Sequence, residues 1–424
     1  MRNAGLSLGA LTLLDINSLA GKDELNKPDS LANDFESDSD YWEWIRQSYT
    51  VSSNLINLNN GGVSPQPKVV QDVFENYNRL SNEGPSYYMW RILDKGREAI
   101  RTDLAELGGC SADEIAIQRN ATEALDTIIL NLKLEKGDEV VVTNYDYPNM
   151  KNAWLMRERR DGVKLIWVSV PLNIENDDQL VELFASAFTS KTKVVHITHI
   201  INWTGQILPA KKIAAKAHEM GIEVVLDAAH SFGHIQFSFK DLDCDYAGTS
   251  LHKWMCAPFG TGMLYIKKEK IATIFPMFPG DKPDSEDIRK FEGLGTRSFP
   301  AEMAIGRAIS FHNSIGAKRK QERLKYLQQY WVNKVKDHPK IKFYTPLGIS
   351  SCAIATVGIE GMTAGDIDTE LYNKQNIHVV GIVWEGVNGV RVTPHVYTNT
   401  HDLDKLVAGL LAMADKVGQV VEEK

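Results

Sequence analysis

The segment Thr249-Ser250-Leu251-His252-Lys253-Trp254 sets an amine between apolar stretches, beside a hydroxyl and an imidazole that could together hold a phosphate. A glycine-bearing turn, Phe259-Gly260-Thr261-Gly262, follows it. A lysine that must attack an aldehyde needs a lowered pKa, which burial and a nearby cationic ring supply. Most lysines are solvated surface charges, so this one counts only in company. About one strand-and-helix unit upstream, Val224-Val225-Leu226-Asp227-Ala228-Ala229-His230 ends an apolar run on a carboxylate. An aspartate there can keep a pyridine nitrogen protonated, and the ring then accepts electrons; it can equally cap a helix beginning at Ala228-Ala229. At Asn120-Ala121-Thr122-Glu123-Ala124 a polar turn opens a helix, where free backbone N–H groups bind anions or are simply capped. His196 and His199 lie three apart, so a strand sends them to opposite faces; they read as packing or supporting residues, not as a metal pair.

Elements must position these groups, and the pattern names them. Short apolar runs at 140–142, 165–168, 194–197, 224–226 and 263–266 alternate with helical stretches, which predicts a mainly parallel sheet covered on both faces. Ligands of such sheets sit beyond the carboxyl ends of the strands. Two amphipathic helices are expected between Pro65 and Leu107, broken at Glu83-Gly84-Pro85, and another from Ala121 to Leu134. Beyond about Pro279 a long helical stretch from Ala301 to Asp337, strands near 353–357 and 377–380, and a final helix from Asp402 suggest a smaller α+β unit. The Tyr87-Tyr88-Met89-Trp90 run reads as a buried helix face, or else as part of a substrate pocket.

With 424 residues, 43% hydrophobic and 24% charged, the chain can bury a large core and still build a deep site. Its net charge of -8, with no basic patch, argues against nucleic acid as a partner. No apolar run approaches the length that crosses a bilayer, so no membrane partner is expected. The four cysteines, Cys110, Cys244, Cys256 and Cys352, lack metal-ligand or disulfide-framework spacing, and no metal is expected. Residues 1–40 read as a leader and an acidic linker. The string Arg2-Asn3-Ala4-Gly5-Leu6-Ser7-Leu8-Gly9-Ala10 is similar to the part of a twin-arginine export signal that follows the arginine pair, but the pair is missing. A cytoplasmic location is favoured, with periplasmic export the alternative.

Taken in order, Asn120-Ala121-Thr122-Glu123-Ala124, Asn202-Trp203-Thr204-Gly205, Asp227-Ala228-Ala229-His230, Ser250-Leu251-His252-Lys253, Gly295-Thr296-Arg297 and Arg391 resemble the class V aminotransferase family of pyridoxal 5′-phosphate (PLP) enzymes. Within it the isopenicillin N epimerase-like branch is most similar, over about Leu58 to Leu411. The resemblance implies an α/β fold of the aspartate aminotransferase-like type (fold type I). A large PLP-binding domain would span 65–279, with a smaller α+β domain built from 41–64 and 280–424. It further implies that Lys253 forms the Schiff base and shuttles protons, and that Asp227 pairs with the pyridinium nitrogen. His230 and Asn202 would lie near the ring hydroxyl, and Ala121, Thr122, Ser250 and His252 would hold the phosphate. Thr296 would reach in from a second subunit of a homodimer, Tyr147 would stack on the cofactor, and Arg391 would grip a substrate carboxylate.

The expected reaction is then aminotransferase-type or epimerase-type chemistry at the α-carbon of a small amino-acid-like substrate. A carbon–sulfur lyase is the second possibility, and a scaffold that kept the fold without catalysis is a third. One departure separates branches. Desulfurases of this class place a nucleophilic cysteine shortly before the carboxylate-binding arginine, and the segment His378 to Val390 has none.

Overall fold

Apolar strands that face packing on both sides need no alternation, and the large sheet is built from such strands. The computed structural model describes residues 38–422 apart from 173, 175 and 349; the leader and most of the acidic linker fall outside the described residues. In chain order the first elements are α1 Asp38–Gln47, β1 Ile56–Asn57, α2 Lys68–Glu83, α3 Asp94–Gly108, β2 Ile115–Gln118, α4 Ala121–Asn131, β3 Glu139–Thr143, α5 Pro148–Asp161 and β4 Lys164–Val168. They continue through α6 Asp177–Ala185, β5 Thr192–Thr198, α7 Ala210–Glu219, β6 Glu223–Asp227, β7 Tyr246–Ser250, β8 Gly262–Ile266, α8 Phe299–Ile315 and α9 Ala317–Val335. The last are β9 Ile341–Phe343, β10 Ala355–Ile359, α10 Ala364–Gln375, β11 Ile377–His378, β12 Val380–Trp384, β13 Val387–Val392 and α11 Thr400–Glu422.

Seven strands form the large sheet in the order β2-β8-β7-β6-β5-β3-β4, all parallel except β8. Successive residues feed two different cores. Val141, Val195, Val224 and Leu226 point into one, while Val140, Val142, Val194 and Val225 point into the other. Each such side chain, fully buried, contributes about 1.5–3 kcal/mol. Four antiparallel strands, β12-β13-β10-β9, make a smaller sheet with a separate core shared with α9, α10 and α11. Helix α8 packs instead with the large sheet's core, through Phe299, Met303, Ala304 and Ile305.

Three local expectations change. The single helix foreseen over 301–337 breaks at Gly316, whose φ of 85° ends α8 and starts α9. The Tyr87-to-Trp90 run is neither buried nor in the cleft: it forms a π-helical turn that leaves Tyr87 55% and Trp90 42% exposed. No helix begins at Ala228; residues 229–234 are turns, and the Asp227 carboxylate accepts the Ala229 N–H at 2.9 Å and closes a local turn. Among the described residues no helix is long and apolar enough to cross a membrane.

Candidate active site

Four parallel strands deliver polar residues to one edge of the large sheet. Thr143 ends β3, Thr198 ends β5, Asp227 ends β6 and Ser250 ends β7. Two glycines let helix α4 reach this edge. A side chain at Gly248 would strike Leu125 and Ala124 of α4, and one at Gly262 would meet the Asn120 backbone at 2.6 Å. The N-terminus of α4 is thereby held against Ser250, whose Oγ accepts the Ala121 N–H at 2.9 Å. Asn120 caps the helix at the Glu123 N–H, so the cap and the anion-binding readings of this turn are compatible.

From the smaller sheet, β13 brings in Arg391, and the loop 59–62 follows it. The Asn59 side chain accepts from Arg391 Nη2 at 2.9 Å, the Asn202 carbonyl accepts from Nη1 at 3.1 Å, and Gly61 N–H binds Thr393 Oγ1 at 2.9 Å. Together these elements enclose a cleft of about 450 Å³. Every site residue expected from sequence lines it except Thr296, which is exposed in the loop before α8.

The cleft's charges are poised for a ligand. Burial lowers Lys253 to about 8, with Asp227 opposing and Arg391 reinforcing that shift. Burial also raises the Asp227 carboxyl, which His196 and Lys253 only partly offset. Arg391 is lowered to about 10 by burial, and its Nε has no hydrogen-bond partner; neither has Asn202 Oδ1. A buried carboxylate short of a cation, a guanidinium short of an anion and an amine of lowered pKa are matched together by a protonated ring nitrogen, an anionic substrate and an aldehyde. PLP, the cofactor implied by the resemblance, fits this set.

Tyr147 is 40% exposed, and its ring centre lies 5.8 Å from Lys253 Nζ. The loop that carries it is fixed by Asp146, which accepts from Thr143 N, Thr143 Oγ1 and Thr198 Oγ1, each at 2.8 Å. This anchor, and the grip of Asn59 on Arg391, were missed from sequence; a carboxylate three residues beyond the threonine that ends a buried strand was the available signal for Asp146. His252, which lines the cleft, donates from Nδ1 to the Thr261 carbonyl at 3.1 Å and so leaves Nε2 without that proton. His196 packs edge-on to Trp154 and acts electrostatically on the Asp227 carboxyl. All four cysteines are free, and none lines the cleft.

Comparison with known proteins follows the same lines. The family described as Aminotransferase class-V matches residues 56–406. A probable cysteine desulfurase of Synechocystis is 29% identical over 77% of this chain and 82% of its own. An isopenicillin N epimerase of Amycolatopsis lactamdurans is 25% identical over 87% of this chain and 98% of its own. Among solved structures, the cystine C-S lyase C-DES, in complex with cysteine persulfide, superposes with a TM-score of 0.76 at 22% identity, covering 84% of this chain and 97% of its own.

Proposed function

This chain belongs to the class V aminotransferase family, and we propose that it is a PLP-dependent enzyme acting at the α-carbon of an amino acid, by aminotransferase-type or epimerase-type chemistry. The observation that carries this reading is the convergence of Lys253, Asp227 and Arg391 on one cleft, each with a charge that burial leaves unsatisfied. When bound, PLP supplies an aldehyde that joins the substrate amine and a protonated ring that takes up the charge left at the α-carbon. Ala121, Thr122, Ser250 and His252 hold its phosphate, and Asp227 holds its ring nitrogen. Arg391 orients the substrate carboxylate, which places the α-proton within reach of Lys253. Lys253 Nζ then removes that proton. In an epimerase-type reaction the proton would be returned by Tyr147, which lines the cleft with its ring centre 5.8 Å from Lys253 Nζ.

Reduction of the yellow holoenzyme with borohydride tests the core of the reading: the label is expected on Lys253. Label elsewhere removes it, and a colourless protein that PLP does not restore removes it and favours the scaffold. A screen of amino acids for deuterium exchange at the α-carbon, with product identification, then separates transamination from epimerisation.

Carbon–sulfur elimination is the second reading, suggested by the likeness to C-DES. A desulfurase using its own thiol is disfavoured: Cys352 is buried and raised to about 12, and no cysteine borders the cleft. Release of a persulfide from cystine, without exchange into other amino acids, would select the lyase. We also propose a homodimer in which Thr296 completes the phosphate site of the partner subunit.

A further inference from the structure

Directly after Lys253 stands Trp254, fully buried and outside the cleft. Its indole lies between two imidazoles, 3.8 Å from the His234 ring and 5.6 Å from the His395 ring, both nearly parallel to it. Its backbone carbonyl accepts from the buried amine of Lys320, which also contacts His312 Nδ1 at 3.3 Å. With its ring stacked on these imidazoles, the indole donates from Nε1 to His230 Nδ1, 3.4 Å away. The other nitrogen of the same ring, Nε2, lies 3.3 Å from Lys253 Nζ.

An indole N–H can only donate, so His230 Nδ1 must accept and carries no proton. A neutral imidazole then holds its single proton on Nε2, facing the lysine. A donor facing an ammonium is a mismatch, whereas a neutral amine accepts through its lone pair. We propose that Trp254 is a positioning residue: by fixing the tautomer of His230 it presents an N–H to Lys253 and favours the neutral, reactive form of that amine.

The other groups facing Lys253 do not provide this selection. Asp227 favours the charged amine, Arg391 disfavours it only through its charge, and Tyr147 presents a ring face. Around His230, the remaining titratable neighbours are Arg391 and His234. His234 is already committed, since its Nδ1 donates to the His230 carbonyl and its Nε2 accepts from Ala353 N. Loss of the indole donor frees His230 to take the other tautomer, whose bare Nε2 would accept from a charged Lys253.

The inference rests on Lys253 being the reactive amine, which borohydride labelling tests separately; it needs no bound cofactor. In cofactor-free protein carrying 15N-histidine, with the His230 signal assigned by its loss in His230→Phe, the proton is expected on Nε2. A proton on Nδ1 overturns the proposal without any change at Trp254. Next, the pH midpoint for acylation of Lys253 by acetic anhydride, read by mass spectrometry, is compared in wild type, Trp254→Phe and the two variants made in a His230→Phe background. Trp254→Phe should raise the midpoint by about one unit, a tenfold loss of neutral amine at neutral pH, and should have no effect once His230 is gone. An unchanged midpoint in folded Trp254→Phe, or the same shift with and without His230, overturns it. Labelling of another residue by borohydride would instead refute the wider reading while leaving the tautomer result intact.

Discussion

Lys253 and Asp227 share a cleft in which burial shifts the two groups in opposite directions, and their chemistry follows from that. Desolvation disfavours the charged form of each, so the amine falls to about 8 and the carboxyl rises. Because the neutral amine is the nucleophile, PLP uptake by cofactor-free protein should speed up as pH rises toward about 8 and level off above it. From pH 7 to 8 the neutral fraction grows about fivefold, and from 8 to 9 less than twofold. Stopped-flow absorbance checks this; a rate still climbing tenfold per unit at pH 9 would mean an ordinary lysine. For Asp227, replacement by asparagine should leave the cofactor attached yet slow α-proton exchange by about 100-fold or more, since the neutral amide no longer keeps the ring nitrogen protonated. Deuterium exchange followed by NMR gives the number, and an unchanged rate would take Asp227 out of that role. Asp227 was legible in the sequence because it ends an apolar strand, and Lys253 because it stands between apolar stretches beside a hydroxyl and an imidazole. Trp254 and Asn59 were not, because they act through partners remote in sequence: Asn59 and Arg391 are 332 positions apart.

At the level of elements, the phosphate site depends on how closely α4 approaches β7 and β8. Gly262 has no room for a methyl group, since the obstacle is the Asn120 backbone at 2.6 Å and not a side chain that could turn away. Gly262→Ala should push the α4 N-terminus outward, costing about 1–3 kcal/mol of stability and weakening PLP binding about tenfold or more. Gly316→Ala is the matching control. It meets nothing within 4 Å but must keep a φ of 85°, so it should cost about 1 kcal/mol and leave PLP affinity alone. Thermal melts and PLP titrations distinguish the two; equal effects on affinity would mean that α4 is not the phosphate anchor. The parallel strands were readable from their apolar runs, but β2 and β7 were not delimited. Ile115–Gln118 is only four residues long, and Tyr246–Ser250 carries glycine and hydroxyls that resemble a loop until its five buried positions are seen. The split of α8 from α9 was hidden because one glycine inside a long helical pattern does not announce a left-handed residue.

For the whole molecule, the exposed aromatic turn and the misplaced threonine point the same way. Tyr87 and Trp90 are large, apolar and open to solvent. Trp90 packs edge-on to Phe299 at 4.8 Å, and Arg297 lies over both rings while pairing with Asp94 and Glu302. Arg297 therefore fixes its neighbour Thr296 beside an apolar patch of the kind that marks a protein interface. If a second copy covers the patch, Thr296 is carried to that copy's cleft, which explains why it is absent from its own. Trp90→Asp should then yield monomers in sedimentation velocity and weaken PLP binding. Thr296→Ala should leave the dimer whole and weaken PLP about tenfold, the worth of one hydrogen bond to a charged group. A Trp90→Asp monomer that binds PLP as tightly as the parent would show that each cleft is complete within one chain, and Thr296 would need another explanation.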